Sequence, residues 1–226
     1  MLPQTFEFID GFAALARSLG LEVLVEVHSY YRKQIEIAKR VDWVYDFALP
    51  PLVLHALFFK TAKYLEEWIG LRPTNALTVL DTHDGIGIID IGADAADRNA
   101  RPGLVPAVEL DQLMAIIHTN NRDQSREATG AAASNLDLYQ INCTFVDAVG
   151  RDERSYPIAR AIQFFLPGVP KVYYVGLLAG PAFGGCFTLE ADDDEQRLAM
   201  RWDLGNHTAR LWVDFATLSH EIHLSA

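Results

Sequence analysis

Two acidic residues in this sequence stand where catalysis can use them. Glu26 ends the run Leu24-Val25-Glu26-Val27 and precedes His28-Ser29-Tyr30-Tyr31; Asp84 follows Val79-Leu80-Asp81-Thr82-His83 and precedes Gly85-Ile86-Gly87. Each sits where an apolar, β-branched run gives way to polar residues and glycine, which reads as the carboxyl end of a strand. In parallel α/β sheets the catalytic groups gather at that end. Paired carboxylates there are equipment for glycoside chemistry, in which one is acid/base and the other nucleophile or charge stabiliser. Plainer roles stay open on local grounds. Glu26 and His28 share one face of a strand, and Glu26 either works there or pairs with an Arg or His, because an unpaired buried carboxylate is costly. Asp81, His83 and Asp84 also fit a polar strand-end cap or a metal site.

The elements that would position these residues follow from periodicity. Phe8, Phe12, Leu15 and Leu19 recur at helical spacing and predict a helix with one apolar face, stopped by Gly20. A strand is expected over Leu21 to Val27, a helix over Arg32 to Arg40, and a second strand over Val41 to Ala48, ended by Pro50-Pro51. A helical stretch around Leu52 to Phe59 leads to a third strand, Ala76 to Leu80. Tyr156 to Phe165 reads as a helix through Ile158, Ile162 and Phe165, and Val169 to Gly176 as a fourth strand. Such alternation argues for α/β architecture with parallel strands, whose right-handed crossovers set Glu26 and Asp84 at the same end. Residues 85–150 form a long excursion with its own helix at Leu110, Leu113, Met114 and Ile117, of the kind that builds active-site walls. After Gly180, Cys186–Glu190, Arg197–Trp202 and Ala209–Asp214 alternate as antiparallel strands.

Composition narrows the function classes. Half of the 226 residues are hydrophobic, enough for a substantial core, and the net charge of −11 argues against nucleic acid or anionic membrane as partner. Cys143 and Cys186 lack disulfide-framework or metal-ligand spacing. The N-terminus lacks the basic and apolar segments of a signal peptide, and the apolar stretch Ile162 to Ala179 is broken by Pro167, Pro170 and Lys171, so a cytoplasmic protein is expected. Gly85-Ile86-Gly87 with Gly92 lacks the spacing of a dinucleotide fingerprint. Asp192-Asp193-Asp194 lacks the alternating ligands of a calcium loop, and His207, His220 and His223 have no zinc pattern. No metal and no cofactor is expected.

At these residues the chain resembles the sucrose phosphorylases and their close relatives in glycoside hydrolase family 13, the α-amylase clan. The matching stretches are Glu22 to Tyr31, Tyr45-Asp46-Phe47-Ala48-Leu49-Pro50-Pro51, Leu80 to Gly87, Ala128 to Gln140, and Phe164 to Pro170. The resemblance implies the second half of a (β/α)8 TIM barrel, strands 5–8, over residues 1–180. The 85–150 insertion would follow strand 7, and a partial antiparallel β domain would occupy 181–226. It implies Glu26 as acid/base and Asp84 as the carboxylate that stabilises the oxocarbenium-like transition state. His83 and His28 would contact substrate, and Asp137, Leu138, Tyr139 and Gln140 would form the loop that serves fructose and phosphate in turn. The implied reaction is retaining, reversible transfer of glucose from sucrose to phosphate, giving α-glucose 1-phosphate and fructose.

The departures from the family are as specific. Its nucleophilic Asp lies on the fourth barrel strand, ahead of the stretch that begins here at Met1, and the arginine two residues before it goes with it. A second gap is expected between Gly180 and Pro181, where the family carries a loop with another arginine of the glucose and phosphate sites. Little or no activity is therefore expected of these residues alone, with a homodimer or a complementing chain as partner. The alternatives are a related hydrolase or phosphorylase acting on sucrose 6-phosphate, glucosylglycerol or glucosylglycerate, or a non-catalytic remnant or half of a split enzyme.

Overall fold

The computed structural model describes residues 3–82, 84–94, 101–129, 140–173, 176, 197–204 and 207–214. They fall into two compact units, Met1–Gly185 and Cys186–Ala226.

Four short parallel strands form the sheet of the first unit: β1 (Leu24–Val25), β2 (Trp43–Asp46), β3 (Ala76–Thr78) and β6 (Val169–Pro170). They lie side by side in chain order, with Leu24 opposite Trp43, Val44 opposite Ala76 and Leu77 opposite Val169. Helix α2 (Tyr31–Ala38) connects β1 to β2, and α3 (Leu49–Phe59) and α4 (Lys63–Leu71) connect β2 to β3. Pro50 and Pro51 open α3 rather than merely ending the strand, because the first turn needs no N–H donors. The sequence reading did not foresee α4; its Trp68 is buried and donates its indole N–H to Asp46 at 2.9 Å.

The outer strands are shorter than the sequence predicts. Expected over Leu21 to Val27, β1 holds only the two residues that face β2; among the described residues its other edge pairs with nothing. β6 stops at Pro170, which has no N–H to donate and suits an edge.

The helices flanking these edges form where the periodicity predicts them. Helix α1 (Pro3–Ser18) packs on the sheet through Ala13 and Ala16, with Phe6 and Ile9 beside them. The predicted apolar face, Phe8, Phe12, Leu15 and Leu19, points away from the sheet and is 53–71% exposed. Alanines let the helix lie close to the strands, and the bulkier stripe is left as a second apolar face. Helix α8 (Ser155–Phe165) does the same, burying Tyr156, Ala159, Arg160 and Gln163 while Ile158 and Phe165 are exposed. Each such side chain forgoes part of the about 1.5–3 kcal/mol that full burial would contribute.

The excursion after β3 carries β4 (Ile86–Gly87), a 3-10 turn at Ile89–Ile91, α5 (Ala107–Asn120), α6 (Gln124–Thr129), β5 (Gln140–Ile141) and α7 (Phe145–Ala148). The helix expected at Leu110, Leu113, Met114 and Ile117 is α5, with Leu113 and Ile117 buried. Antiparallel pairing of β4 with β5 sets Gly87 opposite Gln140. Glu109 of α5 ties this layer down, accepting from Tyr64 at 3.0 Å and meeting His55 Nε2 at 2.8 Å.

In the second unit, β7 (Arg197–Leu204) and β8 (His207–Asp214) form an antiparallel hairpin, as the alternation predicts. The strand expected at Cys186–Glu190, the Asp192-Asp193-Asp194 run, His220 and His223 lie outside the described residues. Cys143 is buried as a free thiol, and burial pushes its ionisation well up. No described helix is long and apolar enough to cross a membrane.

Candidate active site

Because β1, β2, β3 and β6 run parallel, the segments that follow them emerge at one end of the sheet. That end presents an acidic residue after or within three of the four strands, and the structure sorts them sharply.

Asp46, the last residue of β2, is fully buried. It accepts from Arg72 Nε at 2.7 Å and from Trp68, and Arg72 also donates to the Pro167 carbonyl. Asp81, past β3, is buried too; Arg160 Nη2 donates to it at 3.2 Å and the Phe145 backbone N–H at 2.8 Å. Arg160 is held in turn by Tyr156 Oη and Gln163 Oε1, and Gln163 caps the carbonyls of Thr78 and Lys171. Burial raises both carboxyls above the ordinary aspartate value, and the arginine beside each opposes the rise. These two aspartates hold the sheet to its helices. Neither is available to a substrate.

Glu26 is different. Glu26 lies immediately past β1, is exposed, and has no hydrogen-bond or ion-pair partner among the described residues. The Arg or His pairing that would make it structural is thus not found there. Asp84 is half-buried in a tight turn. Thr82 N–H donates to the Gly85 carbonyl at 3.4 Å and Gly85 N–H to the Thr82 carbonyl at 3.1 Å, while the Asp84 N–H meets Thr82 Oγ1 at 3.2 Å. The turn fixes where Asp84 leaves the chain, just beyond the buried Asp81 anchor.

His28, two residues past Glu26, reaches across to the excursion. Its Nδ1 lies 2.8 Å from Asp90 Oδ2, and its ring stacks on Phe47 at 3.8 Å between centroids. Phe47 stacks on Tyr45 at 5.1 Å, and Lys171, past β6, donates to the Tyr45 hydroxyl. Contacts therefore link all four strand ends. The loop after β3 folds back over the end of β1, bringing the segments that carry Glu26 and Asp84 to the same side. Gln140, half-buried in β5, lies across from Gly87, which adjoins the His28–Asp90 pair. His83, Asp137, Leu138 and Tyr139 lie outside the described residues.

Sequence reasoning missed Asp90, Phe47 and Arg160. The signal for Asp90 was one acid between isoleucines in Ile88-Ile89-Asp90-Ile91, since a carboxylate flanked by apolar residues is buried only where donors await it. Among the described residues no group of three His, Cys, Asp or Glu side chains is arranged to hold a metal.

Comparison with known proteins adds names to this geometry. The chain is 58% identical over 180 residues to a sucrose phosphorylase from Bifidobacterium adolescentis, an alignment covering 80% of this chain and 36% of that protein. It is 47% identical over 264 positions to a sucrose phosphorylase from Agrobacterium vitis, covering 96% of this chain and 53% of that one. A crystal structure of a sucrose 6F-phosphate phosphorylase from Thermoanaerobacter thermosaccharolyticum matches with a TM-score of 0.65 at 27% identity, over 99% of this chain and 54% of that one. No family model matches. The chain thus spans about a third to a half of the length of these relatives. The Agrobacterium alignment is longer than this chain, 264 positions against 226 residues, so that relative carries residues with no counterpart here.

Proposed function

Because this chain belongs, over the stretch it shares with them, to the sucrose phosphorylase family of glycoside hydrolase family 13, we propose that it forms the acid/base-bearing half of a glucosyl-transferring phosphorylase. In this reading Glu26 protonates the departing fructosyl oxygen of sucrose and then deprotonates the attacking phosphate, while Asp84 stabilises the positive charge that develops on the glucosyl ring. His28, His83 and the Asp137–Gln140 segment contact the substrates. The observation that carries it is the sorting of the strand-end acids. Asp46 and Asp81 are locked in buried ion pairs, and Glu26 stands exposed without a partner among the described residues. A double displacement needs a nucleophile besides an acid/base and a stabiliser, so a carboxylate from outside these four strands completes the set.

The same completion accounts for the sheet edges that pair with nothing among the described residues. The strands of this half act as barrel strands 5–8 over residues 1–180, with 181–226 contributing to a terminal β domain. A complementing polypeptide, carrying the first four strand–helix units of a relative, pairs with β1 and β6 and covers the outer faces of α1 and α8. The stripe Phe8, Phe12, Leu15 and Leu19 and the exposed Ile158 and Phe165 support this reading. Replacing Phe8, Phe12 and Leu15 together by Asp is expected to abolish self-association of the 226-residue chain and also its capture of the complement. Sedimentation with and without that polypeptide reads both; undiminished capture by the triple variant excludes α1 as the docking face.

The functional test is to incubate the chain with sucrose and phosphate, alone and with the complement, and to assay glucose 1-phosphate. Turnover is expected only in the mixture. Turnover by the 226 residues alone would show that they hold their own nucleophile. The 58% identity to a sucrose phosphorylase, against 39% to a sucrose 6(F)-phosphate phosphorylase, favours sucrose as donor, and the same assay with sucrose 6-phosphate, glucosylglycerol and glucosylglycerate separates the alternatives.

A further inference from the structure

The His28–Asp90 contact fixes more than the place of a ring. Asp90 is fully buried, and donors surround its carboxylate. Oδ1 accepts from the Ser29 backbone N–H at 3.0 Å and from Gln34 Nε2 at 2.8 Å, and Oδ2 faces His28 Nδ1 at 2.8 Å. An ionised carboxylate can only accept, so it draws the imidazole proton to Nδ1. Phe47, nearly parallel at 16°, holds the ring plane. The far nitrogen, Nε2, is shielded from solvent and has no hydrogen-bond partner among the described residues, although the ring itself is partly open. Gly87 makes the arrangement fit. A Cβ on residue 87 would run into Asp90 Oδ2 and lie 2.9 Å from His28 Nδ1. Three separate segments, after β1, after β2 and within the excursion, thus converge on one imidazole tautomer.

We propose that Asp90 is a positioning residue that locks His28 as the Nδ1–H tautomer, so that the bare Nε2 accepts a hydrogen bond from a hydroxyl of the sugar that leaves or enters beside Glu26. The second half of this statement rests on the sugar-site reading above; the tautomer does not. Burial raises Asp90 above the ordinary carboxyl value, and its bonds to His28, Ser29 and Gln34 oppose the rise.

Asp90→Asn gives the sharpest test. The two N–H groups at Oδ1 require an acceptor there, so the Asn carbonyl takes that place and its NH2 turns to Nδ1. The imidazole proton must then move to Nε2. Two-bond 15N–1H spectra of the labelled chain, at a pH about two units above the ordinary imidazole value, report which nitrogen carries the proton; loss of the signal in His28→Gln assigns it. Protonated Nδ1 in the wild type and protonated Nε2 in Asp90→Asn are expected. A proton on Nε2 in the wild type overturns the proposal even if the variant fails to fold, and an unchanged tautomer in a folded Asp90→Asn does so as well. In the complemented enzyme, Asp90→Asn is expected to raise KM for fructose in the synthetic direction about tenfold, with release of glucose to water retained. An unchanged KM beside a flipped tautomer overturns the sugar contact alone. Absence of turnover in the complemented wild type counts against the sugar-site reading and leaves the tautomer result standing.

Discussion

Glu26→Gln, in the enzyme completed by the nucleophile-bearing polypeptide, is expected to slow phosphorolysis of sucrose about 10³-fold, within the usual range for a lost general acid–base. The glutamine keeps the size and the exposed position at the end of β1, so folding should be unaffected. What it removes is a proton that can be given and taken back. The loss should depend on the leaving group. Fructose leaves as a poor alkoxide and needs protonation, whereas fluoride leaves without it. Glucosyl fluoride should therefore glucosylate Glu26→Gln at near wild-type rate, while the following attack by phosphate, which needs the base, stays slow. Equal losses with sucrose and glucosyl fluoride would mean that Glu26 binds or shapes the site and transfers no proton.

Asp81→Asn and Asp84→Asn should part company just as clearly, although the two residues lie three positions apart. Asp81 is fully buried against Arg160, itself 2% exposed. Removing its charge strands the guanidinium and weakens the anchor to Phe145 N–H. Breaking a buried pair from one side costs about 3–5 kcal/mol, which for a chain of this size lowers the melting temperature by about 10 °C. Asp84 sits half-buried on the Thr82–Gly85 turn, and its amide analogue should change stability by about 1 kcal/mol or less. Its effect belongs to turnover, about 10²–10³-fold in kcat with the fold intact, the scale of one lost electrostatic contact to the transition state. Thermal melts paired with the glucose 1-phosphate assay read both. A stable Asp81→Asn, or an Asp84→Asn that melts as early, would reverse the assignment of anchor and charge stabiliser.

Much of this arrangement was legible in the sequence because it is local. Alternation of apolar runs with helical spacing marked β1, α2, β2, β3, α5 and α8, and the turn from apolar to polar residues at Glu26 and Asp84 marked the strand ends. Two things were not legible. One was the direction of the apolar faces on α1 and α8, because periodicity shows that a helix has an apolar face and not which neighbour covers it. When Ala13 and Ala16 take the sheet, Phe8 and Phe12 are left for a different surface. The other was long-range pairing. Asp46 looks from its neighbours as catalytic as Asp84, and Arg72 and Trp68, distant in sequence, show it to be structural. Asp90 likewise gains its meaning from His28 and Gln34, on segments that spacing alone does not join.

The central claim is that these residues contribute the acid/base and the charge stabiliser while the attacking carboxylate comes from elsewhere. It is tested most directly by trapping the covalent intermediate. Glu26→Gln chain, mixed with the complementing polypeptide and glucosyl fluoride without phosphate, should accumulate a glucosyl adduct, because its formation is spared and its breakdown slowed. Intact-mass spectrometry of the separated polypeptides should find one glucosyl unit on the complement and none on the 226-residue chain. A glucosyl unit on any carboxylate of the 226-residue chain, Asp84 included, would contradict the claim.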